Sequence, residues 1–219
     1  MTFSIVVAVP ASRLLAAATA SRSLGVGNSV PAVWPGVGAV VSQAWTNRSL
    51  RGRALALLNT GSTPGGVLAE VPTLDAGHAH RQLALVDARG RVATYTGGAC
   101  SVWAGACSTS SRDGGVSGAI CANLVAGGSV VEAMADEVAD SGRVDDAGEL
   151  ARLLVRVLHA GQRAGGDVRG QQSAAVQVGA GNAQDWQPPD LAVDLRVDDH
   201  CQPLTELDRL IDTLTPRTA

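Results

Sequence analysis

Two apolar segments near the amino terminus constrain the fold of this chain more than any other feature. Residues 3–9 form a nearly continuous apolar run with several β-branched side chains, and residues 14–20 form a second run after Pro10. Short runs of this kind, without polar alternation, are typical of strands that are buried on both faces of a sheet. We therefore predict two core strands joined by a short turn.

The same segments must be weighed against a secretory signal, which also contains an apolar run. No charged residue precedes them, and Pro10 and Arg13 interrupt them, so the sequence favours strands.

The cysteines form no C-x-x-C pair and have no histidines at zinc-finger spacing. They are Cys100, Cys107, Cys121 and Cys201. We expect reduced thiols in a cytoplasmic protein.

Length and charge exclude several classes of function. The 219 residues correspond to one large domain with a sizeable core. A formal net charge of −3 with 17% charged residues does not provide the basic surface that nucleic acids require. No stretch approaches the roughly 20 apolar residues of a membrane span. The sequence contains no lysine, which excludes Schiff-base lysine chemistry.

Hydrophobic periodicity predicts further strands and helices along the chain. The further strands are residues 37–44, 82–87, 91–96, 115–125, 172–178 and 191–197. The turn Ala88-Arg89-Gly90 joins two of them, 82–87 and 91–96, into a hairpin. The helices are residues 48–59, a shorter one that starts at Thr63-Pro64, and residues 129–138, 149–163 and 203–214. A polar loop, residues 179–189, separates the last two strands.

The order of these elements predicts the fold class. Strands occur in groups and helices in pairs, which favours antiparallel sheets over a strict alternation of strand and helix. The strands suffice for two sheets. We therefore predict an α+β fold in one domain over residues 1–219, a layered sandwich with the helices outside.

Thr2 is the candidate nucleophile. Removal of the initiator methionine is expected before a small residue such as threonine, and it would expose the α-amine of Thr2 beside its own hydroxyl. An α-amine has a pKa of about 7.7–8.0 and can therefore accept the hydroxyl proton near neutral pH. Threonine with a terminal amine is an established arrangement for nucleophilic catalysis. Because threonine after methionine is common, a structural role for Thr2 is the alternative.

Several short blocks, spread in order over almost the whole chain, provide a second line of evidence. They are Thr2-Phe3-Ser4-Ile5-Val6; Pro31-Ala32-Val33-Trp34-Pro35-Gly36-Val37-Gly38-Ala39-Val40 with Gln43; Arg81-Gln82-Leu83-Ala84-Leu85-Val86-Asp87; Gly161-Gln162-Arg163-Ala164-Gly165-Gly166-Asp167 through Arg169-Gly170 to Gln172-Ser173-Ala174; and Asp194-Leu195-Arg196-Val197-Asp198-Asp199-His200. Together they resemble the domain-of-unknown-function family 1028. That family is grouped with the N-terminal nucleophile (Ntn) hydrolases. The resemblance implies a four-layer αββα sandwich, two antiparallel sheets between helical layers, with Thr2 as the nucleophile.

The resemblance also implies roles for residues near Thr2. Ser21 ends the second strand, where Ntn hydrolases place polar groups beside the nucleophile, and it could hold the amine through a hydrogen bond. Asn123 follows Cys121-Ala122, where the family usually has Gln-Gly-Asn, and its amide could donate to a developing oxyanion. A strand terminus and a strand-end turn are the respective structural alternatives. Gln43 is a candidate substrate-binding residue.

Residues 165–170 combine three glycines with Asp167 and Arg169. The planar guanidinium of Arg169 suits a substrate carboxylate, so both residues are candidates for substrate binding. The alternative, which the spacing favours, is an internal pair between Asp167 and Arg169 that orders the loop. Neither reading requires a cofactor.

Two histidine-containing segments are weaker candidates. Asp198-Asp199-His200 has the residue types of a metal or acid–base cluster, but neighbouring residues on a strand point to opposite faces, so we expect no metal site. His78 and His80 are expected at a solvent-exposed strand entrance.

These observations together predict an Ntn-type amidohydrolase that cleaves a small amide or peptide-like bond through an acyl-enzyme on Thr2. We expect a cytoplasmic homo-oligomer with no cofactor and no nucleic-acid or membrane partner. A non-catalytic ligand-binding protein that retains the fold is the alternative. A metal-dependent hydrolase using Asp198 and His200 is a third hypothesis.

Overall fold

Ten strands and six α-helices make up the part of the chain that the structure describes, a computed structural model covering residues 2–181 and 191–214. The strands are β1 (Thr2–Val9), β2 (Leu14–Ser21), β3 (Pro31–Trp34), β4 (Gly38–Ala44), β5 (Arg81–Asp87), β6 (Val92–Thr96), β7 (Ala104–Ser110), β8 (Ser117–Asn123), β9 (Ser173–Ala180) and β10 (Val193–Val197). The helices are α1 (Ser49–Asn59), α2 (Pro64–Ala69), α3 (Val71–Leu74), α4 (Gly128–Ala139), α5 (Ala147–Arg163) and α6 (Pro203–Leu214). None of these helices has the length and apolar character needed to cross a membrane.

The strands form two antiparallel sheets. The larger sheet has six strands in the order β10-β9-β2-β1-β8-β7, and the smaller has four in the order β3-β4-β5-β6. β1 is a central strand, paired with β2 on one side and with β8 on the other. Every residue of β1 and β2 is buried, which confirms the prediction of two core strands near the amino terminus.

Side-chain alternation along the strands builds four layers. In β1, Phe3 and Ile5 belong to a core shared with α4, α5 and α6, whereas Val6 and Ala8 face the other sheet. The outer face of the smaller sheet, including Leu83, packs against α1, α2 and α3. The chain is therefore an αββα sandwich, as predicted: two antiparallel sheets between helical layers.

Three elements were not predicted, and each lacks a periodic apolar pattern. β7 consists of small residues, ends in Ser108-Thr109-Ser110, and lies at the edge of the larger sheet, so no apolar run marks it. β3 has four residues, begins at Pro31 and lies at the other sheet's edge, where proline is tolerated. α3 has only four residues, Val71–Leu74.

Several predicted boundaries differ from those in the structure by one or two residues, and two of these differences have a clear cause. β9 continues to Ala180 because that residue pairs with Leu14 of β2, so the predicted loop 179–189 does not start at residue 179. Most of that loop, residues 182–189, lies outside the described residues. β8 ends at Asn123 rather than at residue 125, because Leu124 adopts a left-handed backbone conformation with φ of 57° that leaves the strand.

Candidate active site

The layer between the two sheets is apolar along most of its length and polar at one end. The apolar part is mainly alanine and valine, such as Val6, Ala17 and Ala84. The polar part, which we call the inter-sheet polar cluster, comprises Thr2, Ser4, Thr19, Ser21, Gln43, Gln82 and Asn123, all of them buried. Burial of polar groups costs free energy unless they are hydrogen-bonded, so the bonding of this cluster decides what it can do.

Backbone pairing places Thr2 between two of the predicted catalytic residues. Thr2 lies opposite Ser21 of β2 and opposite Asn123 of β8. Because paired residues in neighbouring strands project to the same face, all three side chains point towards the smaller sheet. The structure thus brings Thr2, Ser21 and Asn123 together at one end of β1.

A chain of hydroxyl groups connects Thr2 with the surface. Thr2 Oγ1 lies 3.1 Å from Ser21 Oγ, which lies 2.7 Å from Ser23 Oγ. Thr2 and Ser21 are only 6% and 2% exposed, whereas Ser23 is exposed. Each hydroxyl can donate or accept, so the chain can shift the direction of its hydrogen bonds without moving an oxygen atom.

A glutamine side chain from the smaller sheet, Gln43, holds the Thr2 backbone and is itself bonded to a second glutamine, Gln82. Gln43 Nε2 donates to the carbonyl oxygen of Thr2 at 3.1 Å and to Gln82 Oε1 at 2.9 Å. Gln43 Oε1 accepts a hydrogen bond from Ser4 Oγ at 2.6 Å, and that hydroxyl lies 2.7 Å from Thr19 Oγ1. Gln43 is fully buried, and its direct contact with a substrate stays a prediction.

Asn123 is held by the same network. Its Nδ2 donates to Gln82 Oε1 at 3.1 Å, while Gln82 Nε2 lies within 3.2 Å of Thr96 Oγ1 and of the carbonyl oxygens of Gly105 and Ala122. An asparagine amide carries two N–H groups. Within residues 2–181 and 191–214 only one of the two has an acceptor, so the other can serve a ligand.

Asp167 connects the loop after α5 with the end of β2. Its carboxylate accepts the backbone N–H of Arg22 at 2.9 Å, directly after Ser21, and it accepts the backbone N–H of Arg169 at 2.8 Å. The Arg169 guanidinium also contacts it, with Nη2 3.1 Å from Oδ2. The Asp167 side chain is 1% exposed and that of Arg169 is 46% exposed. The internal pair forms, and binding of a substrate carboxylate stays a prediction.

Sequence reasoning missed Gln82, Ser4 and Thr19, although a signal was present. Each is a polar residue inside a strand, its neighbours along the chain are apolar except for Arg81 before Gln82, and all three side chains point into the inter-sheet layer. A polar residue at a position that must be buried indicates a network or a site. The pattern was visible, but only the pairing of the two sheets shows which polar residues meet.

The remaining candidates lie outside this cluster. His78 and His80 occupy a short 3-10 turn before β5, and His78 Nδ1 lies 2.6 Å from the Tyr95 hydroxyl. Across the described ranges 2–181 and 191–214, no three His, Cys, Asp or Glu side chains converge in a way that could hold a metal ion. Asp198 and His200 therefore belong to no such group.

The four cysteines are free thiols. Cys121 is fully buried, lies two residues before Asn123, and has its carbonyl oxygen 3.3 Å from Gln43 Nε2. Burial raises the pKa of the Cys121 thiol well above its usual range. A buried thiol with a raised pKa is a poor nucleophile, so Cys121 acts here as a small packing residue.

The family assignment rests on nearly the whole chain. Residues 2–207 match the model of a family of unknown function, DUF1028. The chain belongs to this family. The matched range includes the inter-sheet polar cluster, Asp167 and Arg169, so the candidate site lies entirely within it.

Solved structures extend the comparison. The crystal structure of protein SPO2555 from Silicibacter pomeroyi, also of family DUF1028, is 30% identical, with a TM-score of 0.81 over 98% of this chain and 89% of that chain. Anbu (ancestral beta-subunit) from Yersinia bercovieri is 11% identical, with a TM-score of 0.43 over 99% of this chain and 98% of that chain. An identity and a TM-score this low do not support transfer of fold or activity from Anbu to this chain. No curated protein matches the chain.

Proposed function

We propose that this chain is an Ntn-type amidohydrolase that cleaves a small amide or peptide-like bond through an acyl-enzyme on Thr2, after removal of Met1. The observation that carries the proposal is the contact between Thr2 Oγ1 and Ser21 Oγ, 3.1 Å apart at the buried end of a central strand. A threonine used only for packing would not need the Ser21 hydroxyl beside its own, a hydrogen bond from Gln43 to its carbonyl oxygen, and the Asn123 amide opposite it.

The proposed reaction uses groups of the chain alone. Thr2 Oγ1 attacks the substrate carbonyl carbon, and its proton passes to the neutral α-amine of Thr2. The C–N bond then breaks, and the leaving amine takes that proton, which leaves an ester on Thr2. Water attacks the ester, releases the carboxylic acid and restores the hydroxyl. No cofactor takes part in these steps.

The neighbouring residues have separate roles in this proposal. Ser21 orients the Thr2 hydroxyl and holds the amine. The unused N–H of Asn123 stabilises the oxyanion of the tetrahedral intermediate, a role for which a single donor is worth on the order of 10²–10³ in rate. Gln43 and Gln82 are positioning residues, since their contacts support the Thr2 carbonyl and the Asn123 amide.

A β-lactone, a strained cyclic ester that acylates nucleophilic hydroxyls, tests the proposal directly. We expect wild-type protein from a methionine-processing host to lack Met1 by intact mass, and to gain one lactone adduct, which peptide mapping locates on Thr2. Thr2→Ala should gain none, and Thr2→Ser should retain part of the rate. Thr60→Ala, a matched change at an exposed threonine, should react like wild type.

Three results would each overturn the mechanism. The first is retention of Met1 in the isolated protein. The second is an equal adduct yield in Thr2→Ala. The third is full reaction in protein that carries an uncleaved amino-terminal extension. Any of them would favour the alternative, a non-catalytic ligand-binding protein with the same fold.

One observation favours that alternative. A cavity of about 450 Å³ lies between α1 and β3 on one side and β9 and β10 on the other. Arg48, Arg51 and Arg196 line it, with Asp194 bound to Arg196. Burial, with Arg48 and Arg196 nearby, lowers the pKa of the Arg51 guanidinium. Such a site suits a small anion, and titration with inorganic phosphate by calorimetry would detect it.

A further inference from the structure

We infer that the substrate amide carries an apolar group beside the scissile bond, and that four apolar side chains around Thr2 bind it; this inference rests on the proposed function. In the described part of the chain, the large apolar side chains that are exposed are Leu24, Trp45, Val102, Val168 and Leu214. The first four, which we call the apolar rim, belong to loops at the end of the sandwich where Thr2 lies.

Two members of the rim follow strands that contact Thr2. Leu24 comes three residues after Ser21, whose hydroxyl contacts Thr2, and it is 71% exposed. Trp45 comes two residues after Gln43, whose amide holds the Thr2 carbonyl oxygen, and it is 69% exposed. Both therefore lie on loops that directly follow residues in contact with the candidate nucleophile.

The other two members lie next to residues that border the site. Val102 precedes Trp103, whose carbonyl oxygen accepts the backbone N–H of Leu124 at 2.7 Å, directly after Asn123. Val168 follows Asp167, whose carboxylate holds the end of β2. They are 87% and 65% exposed. Four separate loops thus each present an exposed apolar side chain at the end of the sandwich where Thr2 lies.

The opposite end of the sandwich shows the contrast. Its turns present Arg13 between β1 and β2, Arg89 between β5 and β6, and Arg112 with Asp113 between β7 and β8, all of them exposed. Exposed apolar side chains are unfavourable, and when several gather in one patch they mark a binding surface. The Thr2 end also presents exposed arginines, Arg22 and Arg169, but among the described residues the exposed large apolar side chains other than Leu214 all lie there, and this difference assigns the apolar rim to ligand binding.

Trp45 is the best-supported member of the rim. Its backbone N–H donates to the carbonyl oxygen of His80 at 3.2 Å, and its own carbonyl oxygen accepts from the Arg81 guanidinium. Asp75 holds that guanidinium through Nε at 2.7 Å. Trp45, His80 and Arg81 line a cavity of about 300 Å³. The indole therefore projects from a backbone that is already fixed, which lowers the entropy cost of binding.

Two β-lactones that differ only in their ring substituent, methyl or hexyl, test the inference. Thr2 Oγ1 opens the lactone by forming an ester bond as the ring acyl C–O bond breaks, and the ring oxygen leaves as a hydroxyl that takes the proton. We expect the hexyl compound to label Thr2 at least about tenfold faster, because the rim shields its chain from water. Trp45→Ala should reduce that ratio several-fold, whereas Leu214→Ala, a matched exposed site on α6, should preserve it.

The outcomes separate the two proposals. Labelling of Thr2 at equal rates by both lactones overturns the apolar rim as a substrate site and leaves the proposed function standing. Absence of labelling by either compound overturns the proposed function and this inference together. If sedimentation shows that Trp45→Ala converts an oligomer to a monomer while the rate ratio is unchanged, the rim is an interface between copies of this chain and the inference is overturned.

Discussion

Thr2 and Ser21 face each other across the β1–β2 pair, with their hydroxyl oxygens 3.1 Å apart. Both side chains are almost completely buried, and a hydrogen bond in such surroundings is stronger than one in water. Ser21 also contacts Ser23, so it can donate in one direction while it accepts in the other. The proposed mechanism therefore predicts that the reactivity of the Thr2 hydroxyl depends on Ser21.

Replacement of Ser21 by alanine tests that coupling. We expect Ser21→Ala to lower the rate constant for lactone labelling of Thr2 by roughly tenfold, the equivalent of one lost hydrogen bond. Ser29→Ala, a serine outside the inter-sheet polar cluster, serves as the control. An unchanged rate in Ser21→Ala would show that Thr2 is oriented by other groups.

Replacement of the Asn123 amide tests its proposed role as an oxyanion donor. We expect Asn123→Ala to reduce the labelling rate by about 10²–10³, because an oxyanion donor is lost. Asn123→Asp keeps the shape but replaces the donor by a carboxylate oxygen, and it should be at least as slow. Urea unfolding of each variant separates slow labelling from loss of fold. A rate close to that of wild type in a folded Asn123→Ala protein would contradict the oxyanion role.

We expect Gln43 to contribute to the free energy of unfolding and only indirectly to the reaction at Thr2. Gln43→Leu leaves Ser4 Oγ and Gln82 Oε1 without one of their partners in a buried layer. Each of these atoms keeps one other partner, so the loss is that of buried hydrogen bonds, each worth about 0.5–1.5 kcal/mol, and the free energy of unfolding should fall by at least that amount. Gln202→Leu, the same change at an exposed site, should have little effect in urea unfolding. Equal losses would refute the positioning role.

Asp167 and Arg169 should differ in their contribution to stability. Arg169→Lys keeps the charge but loses the guanidinium fork, and we expect it to lower the free energy of unfolding by about 1 kcal/mol or less, since Arg169 is half-exposed. Asp167→Asn weakens contacts to the backbone of both Arg22 and Arg169 and should cost more. If Arg169→Lys instead raises KM for an acidic substrate without changing the melting temperature, the substrate role is favoured.

Asp75 gives a pH-dependent prediction. A hydrogen bond from Arg81, with others from Asn47 and the Gly77 backbone, holds the pKa of the Asp75 carboxyl well below its ordinary 3.8. A depressed folded-state pKa contributes stability above pH 3.8 that is lost as the pH falls below that value. Asp75→Asn should therefore be less stable than wild type at pH 7, and the difference should shrink in acid unfolding below pH 3.8. A constant difference from pH 7 to pH 2 would contradict this prediction.

The sequence by itself determined the layers of this protein. Continuous apolar runs in residues 3–9 and 14–20 leave no solvent-exposed face, so these strands must lie between two packed layers. The periodic apolar stripe of residues 149–163 requires a helix against that sheet, and α5 occupies that position. Local patterns carry this information because burial acts on each residue through its own side chain.

Only the tertiary structure decided which polar residues meet. Thr2, Gln43, Gln82 and Asn123 are far apart in the sequence, and their contacts depend on the register of β1 with β8 and on how the two sheets face each other. The same holds for the apolar rim, whose members look like ordinary loop residues one at a time. Register and sheet packing are set by the sum of many long-range contacts, so no single segment of the sequence contains them.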